Sequence, residues 1–438
     1  MGYRNIIRTL LALFMLVMTA GAKAQEADVR IGKLLNSNDW FALEREYPTL
    51  RDGVQTPILR LMAEALLGYY FNRPDETVVC VDSLLRHHQA ELGLGNITSM
   101  LTIKAIAESR RGNYGAAADM MKSFASQLMA QGVEMDYSEI NQVAGHFDKF
   151  RSLRPMTVER PGGDAVIRMT NDSIVLKIEN DTVPRGTTMH VSVTVGGREC
   201  RAIFDTGAGL TFMSAELAGK MGVRVVSDSL HIQGAGLVFG QVGVIDSMMM
   251  GGMTIRNIPV AINPDTTLNR LHNIDFLIGT DVMTQFGELR IYPHEGRIVV
   301  PKQRTPRPAE GSNMYMDNMS PIIEGEIGGR TYGFFLDTGN GSATLSPAFY
   351  ERNKAEIDMT AKHVKRMTGG IGSVEDREML LLPTWTFALG GRDVTLRDVG
   401  VMLEDSKVVH HDGNIGMSLV NQFDKVTINF KECFAKFE

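Results

Sequence analysis

Two aspartates in this chain sit in nearly the same local text. Ala202-Ile203-Phe204-Asp205-Thr206-Gly207-Ala208-Gly209 recurs as Phe334-Phe335-Leu336-Asp337-Thr338-Gly339-Asn340-Gly341, so the two acids are 132 positions apart. Each copy is an apolar strand that ends in Asp-Thr-Gly. A carboxylate placed after a buried strand, in a turn that only glycine permits, is in a costly position for a charge. Two such copies read as two carboxyl groups meant to meet. A pair of that kind shares one proton and works as acid and base on a single water. Asp205 and Asp337 are therefore the candidate catalytic residues.

The elements around them are duplicated too. Gly196-Gly197-Arg198 and Gly328-Gly329-Arg330 are hairpin turns at the same 132-residue offset, each leading into the strand that carries an aspartate. A glycine-rich hairpin follows in each half: Gln233-Gly234-Ala235-Gly236, then Thr368-Gly369-Gly370-Ile371-Gly372. Each half closes on a related ending, Asp275-Phe276-Leu277-Ile278-Gly279-Thr280-Asp281 through Gln285-Phe286, and Asp412-Gly413-Asn414-Ile415-Gly416-Met417-Ser418 through Gln422-Phe423. Both endings run into a strand, Leu289–Tyr292 and Val426–Phe430. Period-two alternation in Ser173–Ile178 and Met189–Val195 marks further strands. The spacing predicts two all-β lobes, 165–302 and 313–438, joined by a Pro-rich linker at 303–312.

Residues 25–150 read differently. Apolar residues recur at three- and four-residue spacing in Ile58–Leu66 and Ala116–Phe124, and Pro and Gly are sparse. This predicts an α-helical domain. Gly112, Tyr114 and Ala117 resemble the turn of a tetratricopeptide repeat, Gly-x-Tyr-x-x-Ala. The segment is thus TPR-like, and serves either as a docking surface for a protein partner or as a packed helical domain without a ligand. Arg154-Pro155 through Gly163 ends the helical pattern.

Residues 1–24 carry the marks of a signal peptide: Arg4 and Arg8, an apolar run from Leu10 to Thr19, and a small-x-small site at Ala22-Lys23-Ala24. The reading implies export to the periplasm or beyond, with no membrane span after signal removal. A net charge of −6 and no basic patch interleaved with aromatics argue against nucleic acid as a partner. Three cysteines, Cys80, Cys200 and Cys433, are too few for a disulfide scaffold. Cys200 and Cys433 either pair or remain free thiols. No Cys or His cluster has metal-ligand spacing, and His410-His411-Asp412 falls short of it, so the reading assigns no metal. Met248-Met249-Met250, Trp385 and Phe387 read as packing residues.

On the doubled Asp-Thr-Gly motif, the glycine hairpins and the apolar-Gly endings, residues from about 165 to 438 resemble the retropepsin-like aspartic proteases, in particular bacterial members with a signal peptide and an added helical segment. The resemblance implies an exported aspartic endopeptidase whose lobes form an intrachain pseudo-dimer around Asp205 and Asp337. It implies that Thr206 and Thr338 hydrogen-bond across the dyad, and that Gly207 and Gly339 let backbone approach the carboxyls. Leu277-Ile278-Gly279 and Ile415-Gly416 would pack beneath the loops. Gly234, Ala235, Gly236, Gly369, Gly370 and Gly372 would form flap tips over an extended peptide or protein substrate. No cofactor is implied. The chain departs from the family pattern at Asn340, whose amide is placed to donate to the carboxylate, at Asn414, and at Ser418, which stands opposite Asp281. A non-catalytic peptide-binding or scaffold protein on the same fold is the alternative reading.

Overall fold

The computed structural model describes residues 22–178, 181–234, 236–264, 274–371, 373–404 and 411–438. Most of the segment expected to be a signal peptide, 1–21, and the expected flap residues Ala235 and Gly372 lie outside the described residues, as does His410. The N-terminal region is helical from Ala22–Ser37 through Ser138–Asp148, as the apolar spacing predicts. Helices Pro57–Tyr70 and Pro74–His87 each start with proline in the first turn, where its missing N–H costs nothing. They lie close because Gly68 has no side chain: a Cβ there would stand 2.7 Å from Thr77 Oγ1. Gly112, at φ +81°, ends Gln89–Arg110, and Tyr114–Ala130 begins two residues later with Ala117 fully buried. Among the described residues no helix is long and apolar enough to cross a membrane.

From Thr157 onward the chain is β-rich, in two sheets of mixed pairing. The paired glycines of both forecast hairpins adopt left-handed geometry, with φ +56° and +80° at Gly196-Gly197 and +56° and +75° at Gly328-Gly329. A second matched pair closes the next hairpins, Gly251-Gly252 and Gly390-Gly391. Equivalent strands then follow. Arg198–Phe204 pairs in parallel with Phe276–Ile278, and Arg330–Leu336 pairs in parallel with Gly413–Ile415. Between these elements the repeat carries extra residues, so the offset grows from 132 at the aspartates to 137 at the endings. Ser214 caps Ala215–Met221 and its N–H donates to the Asp275 carbonyl at 2.8 Å. Ser346 caps Pro347–Thr360 and its N–H donates to the Asp412 carbonyl at 3.0 Å.

One eight-stranded sheet belongs to the second half alone. The thirteen-stranded sheet holds the first half and also takes in the last two strands of the chain. The junction is antiparallel pairing of Glu288–Tyr292 with Val426–Asn429, where Leu289 faces Ile428, Arg290 faces Thr427 and Ile291 faces Val426. These strands are counterparts at the 137-residue offset, so Arg290 and Thr427 are equivalent residues lying opposite each other. An approximate two-fold axis therefore passes between them.

The helical region is seated on both β units. Arg45 makes two bonds to the Glu324 carboxylate, at 2.7 and 2.8 Å, Asn72 Nδ2 donates to the Phe430 carbonyl at 2.9 Å, and Phe41 and Tyr70 pack on Tyr315. Thr157–Glu159 adds a short strand to Met253–Asn263. The Pro-rich stretch is pinned along its length. Glu288, fully buried, accepts from the Thr305 N–H at 2.6 Å, the Thr305 hydroxyl at 2.8 Å, Arg290 Nε at 2.8 Å and Asn429 Nδ2 at 2.9 Å. Of the two states left open for the cysteines, the structure has free thiols at Cys80, Cys200 and Cys433. Cys200 is half-buried near one end of a first-half strand, whereas Cys433 lies in the turn before the last strand. His411 sits between Tyr315 and Asp317, with Nε2 2.9 Å from Asp317 Oδ2.

Candidate active site

Asp205 and Asp337 each follow the last residue of a strand whose side chains alternate, so each carboxyl shares a face with the residue two before it. The Asp205 N–H donates to the Ile278 carbonyl at 3.0 Å, and the Asp337 N–H donates to the Ile415 carbonyl at 2.9 Å. The chain then turns back sharply. The Gly207 N–H donates to Asp205 Oδ1 at 2.7 Å, and the Gly339 N–H donates to Asp337 Oδ1 at 3.1 Å.

The two loops are locked to each other by the threonines. The Thr206 N–H donates to Thr338 Oγ1 and the Thr338 N–H to Thr206 Oγ1, both at 3.0 Å. The Thr206 hydroxyl donates to the Leu336 carbonyl, and the Thr338 hydroxyl donates to the Phe204 carbonyl, both at 2.6 Å. Both threonines are buried. This brings the carboxyls together: the position of a Cβ on Gly207 lies 2.3 Å from Asp337 Oδ1 and 2.9 Å from Asp205 Oδ1. A Cβ on Gly207 would stand 2.3 Å from Asp337 Oδ1, and one on Gly339 would stand 2.4 Å from Asp205 Cγ, so glycine is required in both loops.

The layer beneath is repeated as well. The Thr280 N–H donates to the Ala208 carbonyl and the Met417 N–H donates to the Asn340 carbonyl, each at 2.8 Å. Gly279 and Gly416 let this happen, since a Cβ at either would strike the backbone of the loop above. Each lobe also reaches the other's loop: Gly186, at φ +110° within the strand Asp181–Val195, lies against Gly341, and the turn at Asn318-Met319 lies against Gly209.

Burial sets the protonation of the dyad. It raises the Asp205 carboxyl, against the pull of the Gly207, Ala208 and Gly339 N–H groups. It raises Asp337 well above the ordinary carboxyl range, and the neighbouring Asp205 charge pushes it further. The pair titrates as a unit and retains one proton to higher pH than a free carboxyl.

The aspartyl protease family model matches residues 191–282. The match spans the Asp205 loop and ends within the helix Thr280–Phe286 that supports it. No curated protein matches the chain. The aspartyl protease match covers the first copy of the motif, and the second copy reproduces its hydrogen bonds.

The remaining sequence-derived residues fall as follows. Gly234 and Gly236 are at the tip of one hairpin, where the Gly236 N–H donates to the Ile371 carbonyl of the other at 3.0 Å. The tip of the second hairpin is tighter than Gly369–Gly372: Gly369 and Gly370 are still in strand, paired with Val374 and Ser373, and Ile371 begins the turn. Asn340 also differs from expectation. Its side-chain oxygen accepts from the Ser342 N–H at 3.0 Å, and its backbone N–H donates to the Asp337 main-chain carbonyl at 3.0 Å.

One supporting pair escapes a motif-based reading. Asp281 Oδ1 accepts from the Thr211 N–H at 3.1 Å and from its hydroxyl at 2.8 Å, tying the Asp205 loop to the helix beneath. Asp281 is half-buried with its carboxyl turned away from solvent, and burial pushes that carboxyl up to about 6. In the second lobe both partners have changed together, to Ser418 and Ala343, and the buried Ser418 hydroxyl has no hydrogen-bond partner. That paired change is the sequence signal that marks the contact.

Proposed function

We propose that the chain is an exported aspartic endopeptidase, with Asp205 and Asp337 as its dyad and peptide or protein as its substrate. The observation that carries this reading is the meeting of the two Asp-Thr-Gly loops, whose threonines exchange hydrogen bonds and whose carboxyl oxygens both lie within 2.9 Å of the Cβ position of Gly207. The match of residues 191–282 to an aspartyl protease model supports it. The charged and apolar N-terminal segment supports export.

In this reading Asp337 carries the shared proton and Asp205 is ionised. Asp205 takes a proton from a water held between them, and the resulting hydroxide attacks the peptide carbonyl. Asp337 gives its proton to the carbonyl oxygen, so the tetrahedral intermediate is neutral. Asp205 then hands its new proton to the leaving nitrogen as the C–N bond breaks, and Asp337 recovers a proton from the collapsing diol. Two carboxylates about 3 Å apart resist double ionisation, which keeps one acid and one base available together. The glycine hairpins meeting over the dyad are the flaps that hold an extended substrate.

The test is cleavage of a mixed peptide library by the mature chain and by Asp205→Asn and Asp337→Asn. Each variant loses at least about a thousandfold in rate. Cleavage that survives in both variants overturns the proposal. A statine-type transition-state mimic that inhibits no better than a plain peptide favours the non-catalytic alternative.

A further inference from the structure

The hairpins upstream of the two Asp-Thr-Gly loops are copies of each other with different surroundings. In the first lobe Asp172 pairs with Thr188, and in the second Asp317 pairs with Ser320. Thr188 and Ser320 are counterparts at the 132-residue offset, so Asp172 and Asp317 are counterparts as well. By the same register Thr170 corresponds to Tyr315. The Asp172 side chain is 39% exposed and meets Arg201 at 2.7 Å. The Asp317 side chain is only 7% exposed and lies 2.9 Å from His411 Nε2, while the Tyr315 hydroxyl lies 3.3 Å from His411 Nδ1. His411 stands where the first lobe has Ile274, at the 137-residue offset.

The helical region accounts for the difference. It covers the second copy, where Phe41, Tyr70 and Phe71 surround the Tyr315 ring with centroids 4.8, 5.6 and 6.4 Å away. Thr170, at the matching position of the first lobe, is exposed. There the helical region packs elsewhere, through Phe150 and Leu153 in the cluster that holds Ile203 and Leu277.

From the Tyr315–His411–Asp317 cluster the chain reaches both catalytic loops within a few residues. The turn after Asp317 lies against the Asp205 loop: a Cβ on Gly209 would stand 3.5 Å from the Asn318 carbonyl oxygen and 3.7 Å from Met319 Cβ. On the other side His411 runs into Asp412, which brackets Gly333 in the strand leading to Asp337. The Gly333 N–H donates to the Asp412 carboxylate at 2.8 Å, and the Asp412 N–H donates to the Gly333 carbonyl at 3.0 Å. Just beyond, the Ile415 carbonyl takes the Asp337 N–H. Asn318, Met319 and His411 have φ of 49°, 71° and 54°. Residues other than glycine hold such a backbone only where their surroundings impose it.

We propose that Tyr315, Asp317 and His411 are positioning residues of the dyad. They pass the seating of the helical region to the turn against the Asp205 loop and to the strand beneath Asp337, so the helical region braces the catalytic centre. This rests on the endopeptidase reading. The three act through main chain and away from the bound peptide, so their loss lowers kcat and spares KM. A misplacement of about 1 Å at the reacting groups is enough to cost up to about a hundredfold in rate.

The test measures kcat and KM of the full mature chain on one cleaved peptide, together with its affinity for a statine-type mimic. Tyr315→Phe keeps the ring among the helical aromatics and removes the bond to His411. Asp317→Asn keeps the shape and removes the carboxylate. Each lowers kcat about tenfold with KM held within about twofold, and weakens the mimic by a similar factor. The double variant loses no more than the worse single variant, because the residues act as one unit. Phe41→Leu, on the helical side, lowers kcat in the same sense. Asp172→Asn, at the matching position without helical cover, leaves kcat unchanged. A loss in Asp172→Asn equal to that in Asp317→Asn, losses that multiply in the double variant, or an unaltered kcat in Tyr315→Phe overturns the proposal. A parent chain that neither cleaves nor favours the mimic over a plain peptide sinks the endopeptidase reading, and the positioning role falls with it. A parent chain that does both, with Tyr315→Phe and Asp317→Asn indistinguishable from it, sinks the positioning role alone.

Discussion

Thr206 and Thr338 each donate an N–H to the other's hydroxyl and a hydroxyl to the carbonyl just before the other's aspartate. The arrangement is closed, so losing either hydroxyl strips one donor and one acceptor from the opposite loop. Thr338→Val keeps the shape and leaves the Thr206 N–H and the Phe204 carbonyl buried without partners. The expected cost is about 2–5 kcal/mol in a urea titration, with a similar cost for Thr206→Val. Thr338→Ser retains the hydroxyl and costs about 1 kcal/mol.

Activity against pH follows from the raised carboxyls. Asp337 must hold its proton and Asp205 must lose one. Burial and the Asp205 charge keep Asp337 protonated above the usual carboxyl range, so kcat/KM holds into the mildly acidic region and falls on the alkaline side as that proton leaves. A kcat/KM profile on one cleaved peptide checks this, and a rate that keeps climbing to alkaline pH contradicts it.

Asp281 makes stability depend on pH in its own right. Its folded value of about 6 lies above the ordinary 3.8, so the native state binds this proton more tightly than the unfolded chain. The resulting stabilisation is complete below about pH 4 and disappears as pH rises through about 6, a change of about 3 kcal/mol. Asp281→Asn still accepts the Thr211 bonds and cannot titrate. The unfolding free energy lost between pH 4 and pH 8, read from denaturant titrations, should be smaller in this variant by about that amount.

Gly339→Ala tests the approach of backbone to the dyad. The new methyl group would stand 2.4 Å from Asp205 Cγ and 2.6 Å from Asp205 Oδ2, so the carboxyls must separate. The shared proton then loses its geometry. We expect at least a hundredfold loss of peptide cleavage with far-UV circular dichroism unchanged.

The free thiols predict indifference to reductant. Cys433 is buried and Cys200 is pushed up to about 11 by burial, so neither is a ready thiolate. The melting temperature should be the same with and without dithiothreitol, and a drop on reduction would reveal a disulfide.

Much of the β region was legible in the sequence because its signals are local. Asp-Thr-Gly needs only a strand and a tight turn, and Gly196-Gly197 and Gly328-Gly329 announce left-handed backbone in two adjacent letters. Gly251-Gly252 and Gly390-Gly391 carried the same signal. What escaped depends on residues far apart in the chain. The burial of Glu288 rests on Thr305 and Asn429, and nothing around Glu288 distinguishes it from a surface acid. The seating of Phe150 against the floor of the first lobe, and of Phe41 and Tyr70 on Tyr315, likewise needs the assembled molecule. Asn340 misled because its short amide can satisfy either a neighbouring carboxylate or its own loop, and the loop holds its oxygen.

The pairing of Glu288–Tyr292 with Val426–Asn429 has a consequence in time. The Asp205 loop comes early in the β region, and the two strands that extend its sheet come last in the chain. That sheet is whole only once the segment through Phe437 has folded home.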